Sequence, residues 1–419
     1  MAVGNIAVPD TIYPIDGVTL SATAAGVRYK DRNDLVLIKI ADTATTAVVS
    51  TKNAFCAAPV RVLRAHFAQA SPNYLIINTG NANAGTGADG LRRATDICTA
   101  LASKADIDVN AVLPFSTGVI GEPLNSEAII TGLDHALTQL KVDNWLAAAD
   151  GIRTTDTIPK VASQKVEIAA TDNTQSVSYH ITGISKGSGM IRPNMATMLG
   201  FVATDANIAA DLLQEMLSAI NEHSFNRITV DGDTSTNDCC VLIATGTANA
   251  ELIDSPELIN SPDHPHYQPL FDAISAVFMR LAQLIVRDGE GATKFMTVKV
   301  TGGKTSQECC DVAYAVAHSP LVKTAFFASD ANWGRILAAV GYAGIDDLDT
   351  EQVSVALNEV MICQNGMVAP SYTEAAGKEV MSLPEITIHI ELARGEASDT
   401  VYTCDLSYDY VKINADYRS

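Results

Sequence analysis

Ile386 to Leu392 reads ITIHIEL, which puts Ile386, Ile388, Ile390 and Leu392 on one side of an extended chain. Side chains alternate across a strand, so the run predicts a strand with one buried face and one wet face. Phe295 to Val300 (FMTVKV) and Val353 to Leu357 (VSVAL) alternate in the same way. Half-wet strands of this kind belong to antiparallel or mixed sheets. Helical patterns lie between them. Ile208 to Ile220 sets Ile208, Leu212, Leu213, Met216 and Ile220 on one stripe, with Asn207 placed to cap it. Phe271 to Ile285 does the same with Ile274, Val277, Phe278, Leu281 and Ile285. The strands cluster in hairpin-like pairs rather than a strict βαβα rhythm, which predicts an α+β fold.

The rest of the 419-residue chain fits that reading. Hydrophobic residues make up 47% and charged residues 18%, enough apolar material for a sizeable core. The net charge of −20 argues against a sequence-independent nucleic-acid binder and against anchoring on anionic lipid. Eight cysteines without a CxxC suit small buried residues in a reducing compartment better than a disulfide scaffold. No basic start followed by an apolar stretch opens the chain, and no apolar run approaches the roughly 18 residues of a membrane span. A cytoplasmic enzyme is the expectation. Asp254 to Pro269 (DSPELINSPDHPHYQP) reads as a surface loop or linker, and His264 and His266 within it lack a third metal ligand.

Several short motifs suggest chemistry. Gly85 to Gly90 (GTGADG) fits a dinucleotide fingerprint, yet several residues separate it from the strand-like Tyr74 to Asn78, so a glycine-rich turn fits better. Gly183 to Gly187 (GISKG) fits a nucleophile elbow at Ser185, but Gly187, Gly189 and Pro193 follow where a helix should start. A serine hydrolase using Ser185 stays open as an alternative. Asp231 to Asp238 (DGDTSTND), after the strand-like RITV, lacks the glycine and closing glutamate of a calcium loop, and reads as a polar turn. STGVIG (Ser116 to Gly121) and KGSGMIRPNMATMLGF (Lys186 to Phe201) match no general motif. Both are glycine- and hydroxyl-rich loops able to aim N–H groups at a ligand.

KGSGMIRPNMATMLGF strongly resembles the ornithine acetyltransferase family of arginine biosynthesis. Matching segments run along nearly the whole chain: NTGNANAGTG (Asn78 to Gly87), STGVIGE (Ser116 to Glu122), TTDT (Thr154 to Thr157) and VDGDTSTND (Val230 to Asp238) come first. RDGEGATKF (Arg287 to Phe295), FASDANWGRILAAVG (Phe327 to Gly341) and the terminal YDYVKINADYRS follow in order. The resemblance implies a layered αββα-like fold, shared in general plan with self-processing aminopeptidases. It also implies self-cleavage between Ala196 and Thr197, giving an α chain 1–196 and a β chain 197–419 in an α2β2 assembly.

The chemistry implied by the resemblance is coherent. A threonine hydroxyl needs a base to become a nucleophile. An N-terminal threonine carries one, since its freed α-amine has an unperturbed pKa of about 7.7–8.0. Thr197 would take the acetyl group of N-acetylornithine, releasing ornithine, and pass it to glutamate. Thr117 and Gly118 would form the oxyanion hole. The substrate contacts carried over are Thr155 (or the adjoining Thr154), Lys186, Glu290, Asn414 and Ser419, together with Thr197. Glu290 suits an ammonium and Lys186 a carboxylate. Arg192, five residues before Thr197, bears on processing or on carboxylate binding. The resemblance makes DGDTSTND a structural or site-edge loop, and no metal or other cofactor is called for. Acetyl-CoA as a further donor stays open, as does an amidase or aminopeptidase using the same threonine, or a non-catalytic binding protein that kept the fold.

Overall fold

The structure is a computed structural model that describes residues 2–4, 6–28, 30–169, 176–192, 198–248 and 257–416. The first half of the chain forms β1 (Val18–Thr23), β2 (Leu35–Ile40), β3 (Thr45–Ser50), α1 (Ala58–Phe67), β4 (Tyr74–Asn81), α2 (Gly87–Ala105), β5 (Val112–Val119), α3 (Ser126–Thr138), α4 (Trp145–Gly151), β6 (Lys160–Ile168) and β7 (Val177–Lys186). β8 (Leu199–Thr204), α5 (Ala210–His223), β9 (Cys239–Ala244), α6 (Tyr267–Arg287), β10 (Phe295–Gly303), α7 (Ser306–His318), α8 (Pro320–Phe327) and α9 (Trp333–Gly341) come next. β11 (Ser354–Leu357), β12 (Val360–Gln364), β13 (Met367–Val368), α10 (Glu374–Met381), β14 (Glu385–Glu391), β15 (Ala397–Cys404) and α11 (Tyr408–Ala415) complete it.

Two sheets pack face to face. The first has strand order β1-β2-β4-β5 and the second β3-β9-β8-β7-β6. Val36, Ile38, Leu75, Ile77, Leu113 and Phe115 of the first meet Ile184, Phe201, Ala203, Val241 and Ile243 of the second. The rings of Phe115 and Phe201 meet edge to face at 5.0 Å. The opposite face of the first sheet, with Leu35, Leu37, Tyr74 and Ile76, buries the stripe of α2 and α3. The opposite face of the second takes α5 and α6 through Val202, Leu242, Leu213, Met216, Phe278 and Leu281. The order is helix, sheet, sheet, helix, so the layered αββα reading holds. Inner strands covered on both faces need no wet side, which is why β2 reads LVLIKI and buries all but Lys39.

A third sheet, β13-β12-β11-β14-β10-β15, carries the run that opened the sequence analysis. Ile386, Ile388 and Ile390 bury against Val312, Val316 and Val340 of α7 and α9. β14 runs antiparallel to β11 and parallel to β10, so the sheet is mixed. α5 starts at Ala210 with Ala209 as its cap, not at Asn207. Ile208 is instead held in a short bridge to Ile259, which ties the loop before α6 to the body; of the expected loop, 254–256 lie outside the described residues and Tyr267 to Pro269 open α6. α6 is 21 residues long and apolar enough by length and composition to cross a bilayer, but its apolar face is spent on the core of the second layer.

β7 and β8 pair antiparallel, with Lys186 opposite Leu199. The ends of these strands, the end of β5 and the start of β9 gather at one edge of the sandwich, and the site is built there.

Candidate active site

β5 lies parallel to β4, placing Thr117 beside Thr79 and Gly118 beside Gly80. Gly118 has φ +134°, and a Cβ there would sit 2.3 Å from the carbonyl carbon of Gly80. Only glycine fits, and its backbone N–H is left at the strand end. Buried Asn237 fastens this edge by donating from Nδ2 to the carbonyls of Ala82 (2.6 Å) and Ser116 (2.8 Å). β7 delivers Lys186, whose Nζ donates to Thr117 Oγ1 at 3.1 Å. Both residues are buried. Burial lowers the Lys186 pKa and the cation of Lys160 adds to that, against the opposing pull of Asp156, Asp238 and Glu290.

A buried charge network sets the remaining walls. Lys160 Nζ lies 2.6 Å from Asp156 and 2.7 Å from Asp288, with all three side chains out of solvent. Burial works against the Asp156 carboxylate, but Lys160, Lys186 and the Gly187 N–H (2.7 Å) outweigh it and hold its pKa well below the usual range. Asp288 accepts from the Thr157 N–H at 2.9 Å and from the Thr157 hydroxyl. The network thereby joins the Thr154 to Thr157 loop, the end of β7 and the turn after α6. That turn presents Glu290, whose N–H donates to the Ser188 carbonyl at 2.8 Å. Ser188 Oγ in turn lies 2.7 Å from Thr155 Oγ1. Asn414 of α11 donates to Glu290 Oε2 at 2.8 Å.

These groups line one cavity of about 270 Å³, with Thr117, Gly118, Thr154, Thr155, Lys186, Glu290 and Asn414 all on its walls. Buried cation, buried anion and strand-end donors suit a small zwitterionic ligand with a reacting carbonyl. Ala196, Thr197 and Ser419 lie outside the described residues. The chain on either side of Ala196 and Thr197 does reach the cavity, through Met190, Ile191, Met198 and Leu199.

The structure corrects the Ser185 alternative. Ser185 is fully buried within β7, opposite Lys160, and is not on the cavity wall. No helix follows it, so there is no elbow. Arg192 is exposed, and its guanidinium lies over the Tyr314 ring at 5.7 Å, while Thr234 Oγ1 donates to its carbonyl. The segment before it is clamped by the DGDTSTND loop. Asp231 accepts from the N–H groups of Met190 (2.7 Å) and Ile191 (2.9 Å), and Thr229 Oγ1 donates to the Ile191 carbonyl. The loop's far end puts Ser235, Asn237 and Asp238 on the cavity wall. RITV before it is not a strand: Arg227 ends a 3-10 turn (Phe225–Arg227) and Ile228 makes an isolated bridge to Tyr402. No group of three metal-ligating side chains occurs among the described residues.

Sequence reasoning missed Lys160, Asp288, Asn237 and Asp238 as site residues. The last three sit inside quoted segments, while Lys160 carries no local signal beyond an aspartate four residues earlier.

The family model for the ArgJ family matches residues 19–419. The chain belongs to the ArgJ family. It is 81% identical over 419 residues to the arginine biosynthesis bifunctional protein ArgJ of Psychrobacter arcticus, covering 100% of both chains. It is 54% identical over 420 residues to the same-named protein of Pseudomonas syringae pv. tomato, again over 100% of both. Among solved structures, ArgJ of Bacillus halodurans matches at 41% identity over 51% of this chain and 97% of that one, with TM-score 0.48. Ornithine acetyltransferase of Mycobacterium tuberculosis complexed with ornithine matches at 26% identity over 44% and 94%, with TM-score 0.36. Belonging to the ArgJ family makes the chain an enzyme of arginine biosynthesis.

Proposed function

We propose that this chain is a glutamate N-acetyltransferase that moves acetyl from N-acetylornithine to glutamate by a ping-pong route. The precursor cleaves itself between Ala196 and Thr197, and Thr197 becomes both nucleophile and N-terminus. The Thr197 hydroxyl attacks the acetyl carbonyl, its freed α-amine takes the proton, ornithine departs, and the acetyl-threonine then acylates glutamate. Thr117 and Gly118 stabilise the oxyanion of both half-reactions. Glu290, with Asn414, holds the side-chain ammonium of ornithine, and Lys186 with Thr155 holds the α-carboxylate.

The observation that carries the reading is the convergence of Thr117, Gly118, Lys186 and Glu290 on one cavity that the chain flanking residue 197 enters. The relatives' name, bifunctional, supports amino-acid N-acetyltransferase activity with acetyl-CoA as a second donor. The two products stay together because β7 and β8, from opposite sides of the cut, pair in one sheet, as do β3 and β9. An α2β2 assembly in the cytoplasm completes the proposal.

The test is a denaturing gel with N-terminal sequencing, beside transfer assays supplying either N-acetylornithine or acetyl-CoA with glutamate. The expected result is two bands, the smaller (1–196) beginning at Met1 and the larger (197–419) at Thr197, with acetyl transfer that depends on N-acetylornithine. An intact single band with full activity would refute it, and free acetate in excess of N-acetylglutamate would point to an amidase.

A further inference from the structure

Asp238 immediately precedes β9, the strand parallel to β8. The residue lines the active-site cavity and is 3% exposed. Oδ2 has no hydrogen-bond partner among the described residues. A buried polar atom without a partner is rare and costly, so one on a cavity wall marks where an occupant supplies the partner. The neighbouring groups are few. Ser235 bonds the carboxyl from its own loop, Lys186 faces it from β7, and Cys239 follows it on β9 with Arg64 of α1 beyond. Asp156, Lys160 and Glu290 stand around Lys186.

We propose that Asp238 is a further catalytic residue of this site, the acid that protonates the departing amine and the base that recovers that proton from the incoming one. The inference rests on the acetyl transfer described under Proposed function, in which an amide nitrogen must leave. When the acetyl C–N bond breaks, the O–H proton of Asp238 goes to the nitrogen electron pair, leaving a carboxylate. When the glutamate nitrogen bonds to the acetyl carbon, its surplus proton returns to that carboxylate. The Thr197 hydroxyl proton goes separately to the α-amine and back, so each turnover balances. Burial holds the Asp238 carboxyl protonated well above the ordinary carboxylate range, against the pull of Ser235 and Lys186. A carboxyl whose protonated form is favoured by burial can serve as a proton donor, and a departing amine needs one far more than a departing phenolate does.

The test compares two donors in Asp238→Asn, with rates taken per processed chain. Transfer from N-acetylornithine to glutamate is expected to fall by about 10²-fold or more. Release of nitrophenolate from p-nitrophenyl acetate, whose leaving group needs no proton, is expected to stay within about threefold of wild type. Equal losses with both donors would show a merely structural role and overturn the proposal, as would no loss with either. Should the amide variant fold poorly, Asp238→Glu keeps an ionisable carboxyl. Its pH optimum is expected to move with N-acetylornithine and not with the aryl ester, and an unmoved optimum with both overturns the proposal. Wild-type chain that fails to transfer acetyl at all would sink the acetyl-transfer reading itself. Wild-type transfer with an unimpaired Asp238→Asn would sink this inference alone.

Discussion

Lys160 is a lysine with no solvent contact, balanced by Asp156 and Asp288. Replacing it with methionine leaves two buried carboxylates facing each other without a cation. Denaturant unfolding of Lys160→Met is expected to show a loss of about 3–5 kcal/mol. KM for N-acetylornithine should rise as well, because the network seats Lys186, Thr155 and Glu290. Gly118→Ala is a sharper probe, since its Cβ has no room against Gly80. With the N–H mis-aimed, kcat is expected to fall by roughly 10²-fold while binding of ornithine, measured by calorimetry, changes little. His318 gives a pH signature. Its Nε2 lies 3.0 Å from Thr229 Oγ1, and burial, with Arg192 and Lys323 nearby, pushes its pKa down to about 4. The unfolded chain binds that proton from about pH 6.5 downward. The His318 contribution is therefore complete above pH 6.5 and is lost as pH falls toward 4, by up to about 3 kcal/mol. Melting curves of His318→Asn should be flatter across that window. The network was not legible in sequence, because Asp288 lies 128 residues from Lys160 and only the packed register brings them together. Gly118 was legible only through resemblance, since STGVIG by itself does not reveal that Gly80 lies opposite.

The elements themselves were easier to read. The isoleucine alternation of β14 and the stripes of α5 and α6 follow from burial on one side, and burial is what the sandwich and the third sheet supply. The cap of α5 was misplaced because Asn207 suits a cap by type, while the Ile208 to Ile259 bridge keeps the chain extended through Ala209. The same distinction separates two of the quoted motifs. GISKG continues as strand because β7 pairs with β6 up to Ser185 and with β8 up to Lys186. The DGDTSTND loop, read as a polar turn, holds the backbone of Met190 and Ile191 and supplies part of the cavity wall. Met190 is kept at φ +56°, a conformation a non-glycine residue adopts only when its surroundings impose it. Asp231→Ala removes the clamp and is expected to slow the proposed self-cleavage by about 10²-fold in a time course on gels. Unchanged scission would show that the clamp does not position the reacting segment.

At the scale of the molecule, the proposed cut falls between two strands of one sheet, the second, which neither piece carries complete. β3, β6 and β7 come from the first piece, β8 and β9 from the second. The pieces should co-purify and melt in one transition, and a calorimetric scan with two separate transitions would contradict that. The chain's net charge of −20 sets up self-repulsion between copies, while the cavity keeps its own cation in Lys186. The central claim is a covalent acetyl-threonine, and it is tested most directly by intact mass measurement after brief exposure to N-acetylornithine without glutamate. The account predicts one added acetyl group on the fragment 197–419, mapped by peptide sequencing to Thr197 and discharged by glutamate. An acetyl group on any other residue, or turnover with no acetylated fragment at any time, would contradict it.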